Sequence, residues 1–333
     1  MITYVASALT LGTIFCILAL ALNVRYGWTG ELDISLFAYV ALGAYTSAVT
    51  TLPPSHLPPP DHYILGLSQP FVVGVIAAML VCGVASLLVG AVALRSLRGD
   101  YFAITTVATT LIIYAFISQN TYIFNGFEGV YGLQQPFSGW PDLGPDASSV
   151  AYLVLCLVAL GGVYLFLERL YHSPFGRALR STREDEVATA AFGRSVYALK
   201  LQGYIVGGVI AGLGGALLAH FLTAFNPYAW DTAEVFLLYA AIFVGGAGNQ
   251  RGVLLGTIFV VVLIQEATRF LPEIPGHADA QAAIRFILVG LLIIAVLKWR
   301  PQGLLPEPRA RDAPTRPTAE PAPIVAEGAR GSR

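Results

Sequence analysis

The chain has 333 residues, of which 56% are hydrophobic and only 12% charged, against about 25% charged in an ordinary soluble domain. Its net charge is −1; there is no bulk basic field for nucleic-acid phosphates and no basic patch with interleaved aromatics, so a nucleic-acid partner is excluded. The composition predicts an all-α polytopic membrane protein, because lipid offers no hydrogen bonds to bare backbone and a helix satisfies its own.

A helix crossing the hydrocarbon core needs about 20 apolar residues. Nine runs meet or approach that length, near residues 3–23, 30–52, 68–94, 101–120, 149–170, 201–224, 233–248, 252–271 and 283–298. The first lacks a basic leader and a small-residue cleavage site before the Asn23–Gly30 stretch, so it reads as a retained helix and not a signal peptide. The second and seventh are short or interrupted. The expectation is therefore about 8–9 transmembrane helices, one or two of them broken or short. Between runs, the connector at 53–67 is stiffened by proline, and its His56, Asp61 and His62 read as an exposed turn, not a metal site. The connector at 121–148 is the longest, a length that suits a cap or docking surface. Cys16, Cys82 and Cys156 fall inside runs without a paired-ligand spacing and read as small buried hydrophobes. Residues 1–306 are expected to form one transmembrane domain with a loop at 171–200. Residues 307–333, rich in Pro, Ala, Arg and Glu, are expected to be a disordered tail.

Lys and Arg mark the cytoplasmic side of a membrane protein. If 171–200 is inside, alternation puts 24–29, 95–100, 249–251 and the C-terminus inside too. Those segments hold Arg25, Arg95, Arg98, Arg177, Arg180, Arg183, Arg194, Lys200, Arg251, Lys298 and Arg300. The opposite connectors carry Asp61, Glu128, Asp142, Asp146, Asp231, Glu273 and Asp279 and no Lys or Arg. The N-terminus is expected outside and the C-terminus in the cytoplasm.

The charge in 171–200 is concentrated in a polar island, residues 173–193. Ser181 with Glu184 and Thr182 with Asp185 have capping-box spacing, which predicts a short helix starting near 183. Glu184, Asp185 and Glu186 would occupy its first turn, where the helix dipole favours acids, and Gly193 would stop it. On these features alone an ordinary amphipathic connector on the bilayer surface stays open. No phosphate-binding Gly-rich loop, H-E-x-x-H, nucleophile elbow or cluster with metal-ligand spacing occurs, so the sequence offers no enzyme site, cofactor or metal.

The stretch Phe175 to Ala188 followed by Ala191-Phe192-Gly193 resembles the cytoplasmic loop of LivM-type membrane subunits of branched-chain amino acid ABC importers. Four further collinear blocks agree: Asn23 to Tyr45, Leu97 to Ile104, Ala233 to Gly248, and Trp299 to Pro306. The resemblance implies a multi-pass subunit of a bacterial-type inner membrane, working by alternating access with a second permease, two ATP-binding cassette subunits and an extracytoplasmic solute-binding protein. It also implies that the island is the coupling helix seated on the ATPase, formed or shaped by Arg177, Arg180, Glu184, Asp185, Glu186, Ala188 and Gly193.

For the substrate path, ionisable residues inside runs are the first candidates because burying them is costly. They are Glu31 and Asp33 beside the Gly27–Gly30 turn, and Glu234 at the start of the seventh run, with Asn23 nearby. Glu31 and Glu234 can equally sit at an interface, and Glu266 with Arg269 can simply pair on one helix face. The hydroxyls of Thr105, Thr106 and Thr109 could bind an amino acid's ends or bond their own helix. Relatives carry a Ser and a Gly-His pair where this chain has Asp33, Ser35 and Leu36, and a Glu and an Arg where it has Leu111 and Tyr114, so the solute can differ. A urea or short-amide importer permease and an ion-coupled secondary transporter, with Asp33 or Glu31 as its coupling acid, stay open as alternatives.

Overall fold

The computed structural model describes residues 2–54, 66–96, 99–138, 144–230, 233–264, 280–300 and 302–307. Among them the chain is helical, and the β-structure it contains is one antiparallel bridge, Val130 with Phe225. Helix α1 (Ile2–Leu22) runs on through a wide π turn, Asn23–Trp28. There follow α2 (Leu36–Thr51), α3 (Phe71–Ser96), α4 (Asp100–Gln119), the one-turn α5 (Thr121–Phe124), α6 (Pro145–His172), α7 (Pro174–Glu184) and α8 (Glu186–Ala191). The rest are α9 (Val196–Leu222), α10 (Ala233–Gly245), α11 (Gln250–Thr257) with a π continuation Ile258–Ile264, and α12 (Ala280–Trp299).

Local chemistry sets several boundaries. Pro145 and Pro174 open α6 and α7 at first-turn positions, where a missing N–H is no loss. The side chains of Ser173, Ser195 and Asn249 accept from Gly176 N, Ala198 N and the Arg251 and Gly252 N–H groups, capping α7, α9 and α11.

Six helical stretches among the described residues are long and apolar enough to cross a membrane: Thr3–Trp28, Phe71–Arg95, Tyr101–Gln119, Asp146–His172, Val196–Leu222 and Pro227–Gly245. Three apolar helices are shorter, Leu36–Thr51, Gln250–Val261 and Ile287–Trp299. The short second run is real: residues 30–35 are not helical, and helix resumes only at Leu36. α1, α2 and α9 form the packed centre, with Leu18, Tyr39, Tyr45 and Ala211 fully buried. α3 turns Ile76, Leu80, Leu88 and Val92 outward, and α6 turns out Val154, Val158 and Leu165. The i, i+4 spacing makes each set one stripe, the apolar outer face a helix needs in lipid.

The connector beyond α4 packs against the far end of α9. Val130 and Phe225 exchange backbone bonds of 2.8 and 2.9 Å, and Leu133 N donates to Thr223 O. The three cysteines are free and buried. His56, Asp61, His62, Arg98, Asp142, Asp231, Glu266, Arg269, Glu273 and Asp279 lie outside the described residues, as does the tail from 308. Among the described residues no group of three metal-ligating side chains occurs.

Candidate functional site

The island folds differently from the capping-box reading. Its first helix starts at Pro174 on the Ser173 cap, and Ser181 and Thr182 lie inside it, donating back to Ala178 O and Leu179 O. The helix breaks at Asp185, whose backbone is extended (φ −156°) and whose carboxylate accepts from Val187 N and Ala188 N at 2.8 and 2.9 Å. Asp185 is thus the cap of α8; Glu184 ends α7, and Glu186 alone stands in the first turn of α8. A competing boundary won because Pro174 and Ser173 supply a stronger start ten residues earlier. Gly193 adopts φ +75°, the left-handed stop expected of it.

The outer side of the α7–α8 pair encloses a groove of about 430 Å³ lined by residues including Arg177, Ser181, Asp185, Ala188 and Phe192. Val187 and Phe192 are 80% and 87% exposed. Their apolar surface stands beside Glu184 and Arg194, a mixed face of the kind that docking partners cover. Arg177 turns back to His172 O at 2.7 Å, and Arg180 stacks 3.6 Å over the Tyr171 ring.

The inner side grips the segment that interrupts the second run. Arg183 donates to Gly27 O in the π turn and pairs with Glu307 at 2.5 Å. Lys200, near the start of α9, pairs with Glu31 of the non-helical segment 29–35 and, at 2.6 Å, with Glu186 of α8. Glu307, placed with the tail by composition, lies 3.9 Å from Arg180 as well. The C-terminal strap that carries it bonds Leu304 N to Val244 O and Leu305 N to Gly245 O at 2.7 and 3.0 Å.

Inside that grip lies a fully buried ion pair, Arg25 with Asp33 at 2.5 Å. Counting Arg25 as a cytoplasmic loop charge is therefore corrected: the π turn prolongs α1 and carries Arg25 into the protein, 1% exposed. Arg25 also donates to Tyr204 O at 3.2 Å and Ser86 Oγ at 3.0 Å, and its guanidinium sits 4.5 and 4.0 Å from the Tyr39 and Tyr204 ring centroids. Gly207 and Gly208 of α9 make room for it, since a Cβ on Gly207 would lie 2.6 Å from Arg25 Cγ. The other Asp33 oxygen accepts from Ser35 N and Ser35 Oγ at 2.8 and 2.5 Å, and Tyr239 Oη brackets the Asp33 backbone at 2.9 Å on both sides. Both charges of this buried pair are thus compensated, as a low-dielectric interior demands.

The remaining candidates for the path scatter. Asn23 Oδ1 accepts from Gly248 N at 2.9 Å, holding the π turn to the end of α10. Thr105 and Thr109 donate to the carbonyls of Tyr101 and Thr105 in their own helix. Thr106 donates to Ala103 O and accepts from Ile34 N at 3.1 Å, which ties α4 to the non-helical segment. Glu234 is half-buried at the start of α10. Leu111 is 62% exposed. The structure therefore joins Glu31, Asp33, Thr106 and Glu186 through one segment, 23–35. The two partners that join them, Arg25 and Lys200, were legible only as loop charges.

A bundle of apolar helices around a broken, charge-pinned segment, with a polar helix pair at one end, defines an all-α, multi-pass membrane protein. Residues 4–297 match the family model described as "Branched-chain amino acid transport system / permease component". The chain belongs to that family, and is a permease subunit of an ABC importer. It is 32% identical to the high-affinity branched-chain amino acid transport system permease protein LivM of Escherichia coli (strain K12), over 90% of this chain and 69% of that protein. It is 28% identical to a probable LivM permease of Methanocaldococcus jannaschii, over 88% and 91% of the two chains. A probable LivH permease of the same archaeon matches at 25% over 89% of this chain and 90% of its own. No solved structure gives a significant match.

Proposed function

We propose that the chain works beside a second, related permease in a cell-membrane importer of branched-chain or related amino acids, fed by an extracytoplasmic solute-binding protein and driven by two separate ATPase subunits. The N-terminus lies outside and the α7–α8 pair in the cytoplasm, where its outer face is the ATPase seat. One observation carries this reading: the α7–α8 pair exposes Val187 and Phe192, while Arg183 holds Gly27 directly and Glu186 reaches Glu31 of the same segment through Lys200. A movement imposed on the pair is thereby passed to the broken helix, the place where permeases built on discontinuous helices bind and release solute. The solute class rests on the LivM relatives. Glu31, Asp33, Thr106 and their neighbours in 23–35, Asn23 among them, form the gate, with Thr105, Thr109 and Glu234 elsewhere on the path.

The ion-coupled alternative needs a carboxylate free to take up and release an ion, and the pairing of Asp33 with Arg25 and of Glu31 with Lys200 counts against it. The test of the seat is Val187→Asp with Phe192→Asp. The double variant is expected to insert normally but to lose co-purification of the ATPase subunits and ATP-dependent uptake. Undiminished co-purification would place the seat elsewhere.

A further inference from the structure

We infer that Lys200 is the positioning residue that transmits movement of the α7–α8 pair to the non-helical segment 29–35. The inference rests on the proposed seat for the ATPase, and adds the side chain through which the seat acts.

Three pieces of chain meet at the Lys200 ammonium. It stands near the start of α9, one of the central packed helices. Its two acids stand on different pieces of chain: Glu186 on the six-residue α8, and Glu31 on the non-helical segment between the π turn and α2. Lys200 and Glu31 keep only 10% and 12% of their side chains exposed, whereas Glu186 keeps 56%. An exposed pair contributes little to stability, and a lysine withdrawn from water between two acids leaves one acid in excess. The arrangement is better suited to sensing which acid is near than to holding the fold together.

One turn of α9 further on stands Tyr204, on the same face as Lys200. Its hydroxyl is 3.0 Å from Ser35 Oγ and its carbonyl accepts from Arg25. Lys200 and Tyr204 thus hold the two ends of the same segment, Glu31 and Ser35, with the Arg25–Asp33 pair between them. All of them except Ser35 line one crevice closed by Leu94 and Phe102, with no room for a water molecule. If α8 is drawn away, the Glu186 contact lengthens and Lys200 is left with Glu31 alone, tightening that end of the segment. If α8 is pressed in, Glu186 competes for the ammonium and loosens it. The Arg183 contact to Gly27 O cannot make this exchange, because a carbonyl has no charge to share.

The test uses the complete complex in phospholipid vesicles, with leucine as the probe solute, and compares uptake per ATP hydrolysed. Lys200→Met is expected to lower that ratio on the order of tenfold, within the usual range of coupling energies, while the ATPase still co-purifies and still hydrolyses ATP. Lys200→Arg keeps most coupling. In a cycle with Glu31→Gln, the double variant should be no worse than Lys200→Met alone, the non-additivity of one network. Inverting the trio together, Lys200→Glu with Glu31→Lys and Glu186→Lys, should restore part of the ratio. An unchanged ratio in Lys200→Met overturns the inference, and so does a loss of the assembled complex in Lys200→Met that the inversion does not repair, which would make Lys200 a structural contact only. Loss of ATPase binding in Val187→Asp with Phe192→Asp beside normal coupling in Lys200→Met would leave the seat standing and remove only Lys200. Retained binding in the first pair with lost coupling in the second would do the reverse.

Discussion

Replacing Asp33 with Asn removes one charge from a pair whose side chains are both 0% exposed while keeping the shape of the residue. Removing one partner of a buried pair costs about 3–5 kcal/mol, because the other charge remains without compensation. Arg25 would keep the Tyr204 carbonyl, the Ser86 hydroxyl and two aromatic faces, and a desolvated cation–aromatic contact is worth about 2 kcal/mol. The lower end of the range, about 3 kcal/mol or roughly a hundredfold in the unfolding equilibrium, is therefore expected. The amide also cannot serve both sides: whichever way it turns, either Arg25 or the Ser35 N–H and hydroxyl face a donor in place of an acceptor. The assay is denaturant titration of the purified protein in bicelles, followed by tryptophan fluorescence. Arg25→Met together with Asp33→Leu should recover most of the lost stability, since exchanging a buried pair for apolar groups is often neutral. A variant Asp33→Asn as stable as the parent, with a changed apparent affinity for solute, would refute this reasoning and return Asp33 to a direct role on the solute.

Three smaller changes probe the neighbourhood. Gly207→Ala puts a Cβ 2.6 Å from Arg25 Cγ and 2.7 Å from Nε, and the locked guanidinium cannot yield cheaply, so a loss of about 1–3 kcal/mol is expected in the same titration. Asp185→Ala removes the cap from the α8 amides of Val187 and Ala188; about 1 kcal/mol of local stability should go, seen as faster hydrogen exchange at those two amides while α9 is unchanged. Glu307→Gln breaks the pairs with Arg180 and Arg183, whose side chains are 19% and 27% exposed; the stability change should stay near or below about 1 kcal/mol, and cross-linking of the strap to α7 should fall.

The helical runs were legible because lipid forces each segment to satisfy its own backbone, which leaves a length and composition signal for every helix. A break beside Gly27–Gly30 was legible for the same reason, but it falls later than that turn, at 29–35, between the π turn and Leu36. What position along the chain hides is where a charge goes. Arg25 reads as a loop residue because it follows an apolar run. A π turn, which no residue pattern announces, carries the helix six residues farther and buries it. Lys200 reads as one more cytoplasmic cation because its two acids lie 14 and 169 residues away. The island was identified correctly as a separate polar element, but two start signals competed within it, and Ser173-Pro174 prevailed over Ser181 and Thr182. For the cluster, the usable clue was an opposite charge eight residues from Arg25 across a glycine-rich turn.

The central claim is that energy enters this permease from ATPase subunits through α7 and α8. Leucine uptake by vesicles holding the whole complex, with ionophores collapsing every ion gradient and ATP supplied on the α7–α8 side, measures it directly. Uptake that persists under ionophores, needs ATP and vanishes when the ATPase subunits are omitted is the predicted result. Uptake by this chain alone under an ion gradient, indifferent to ATP, would contradict it.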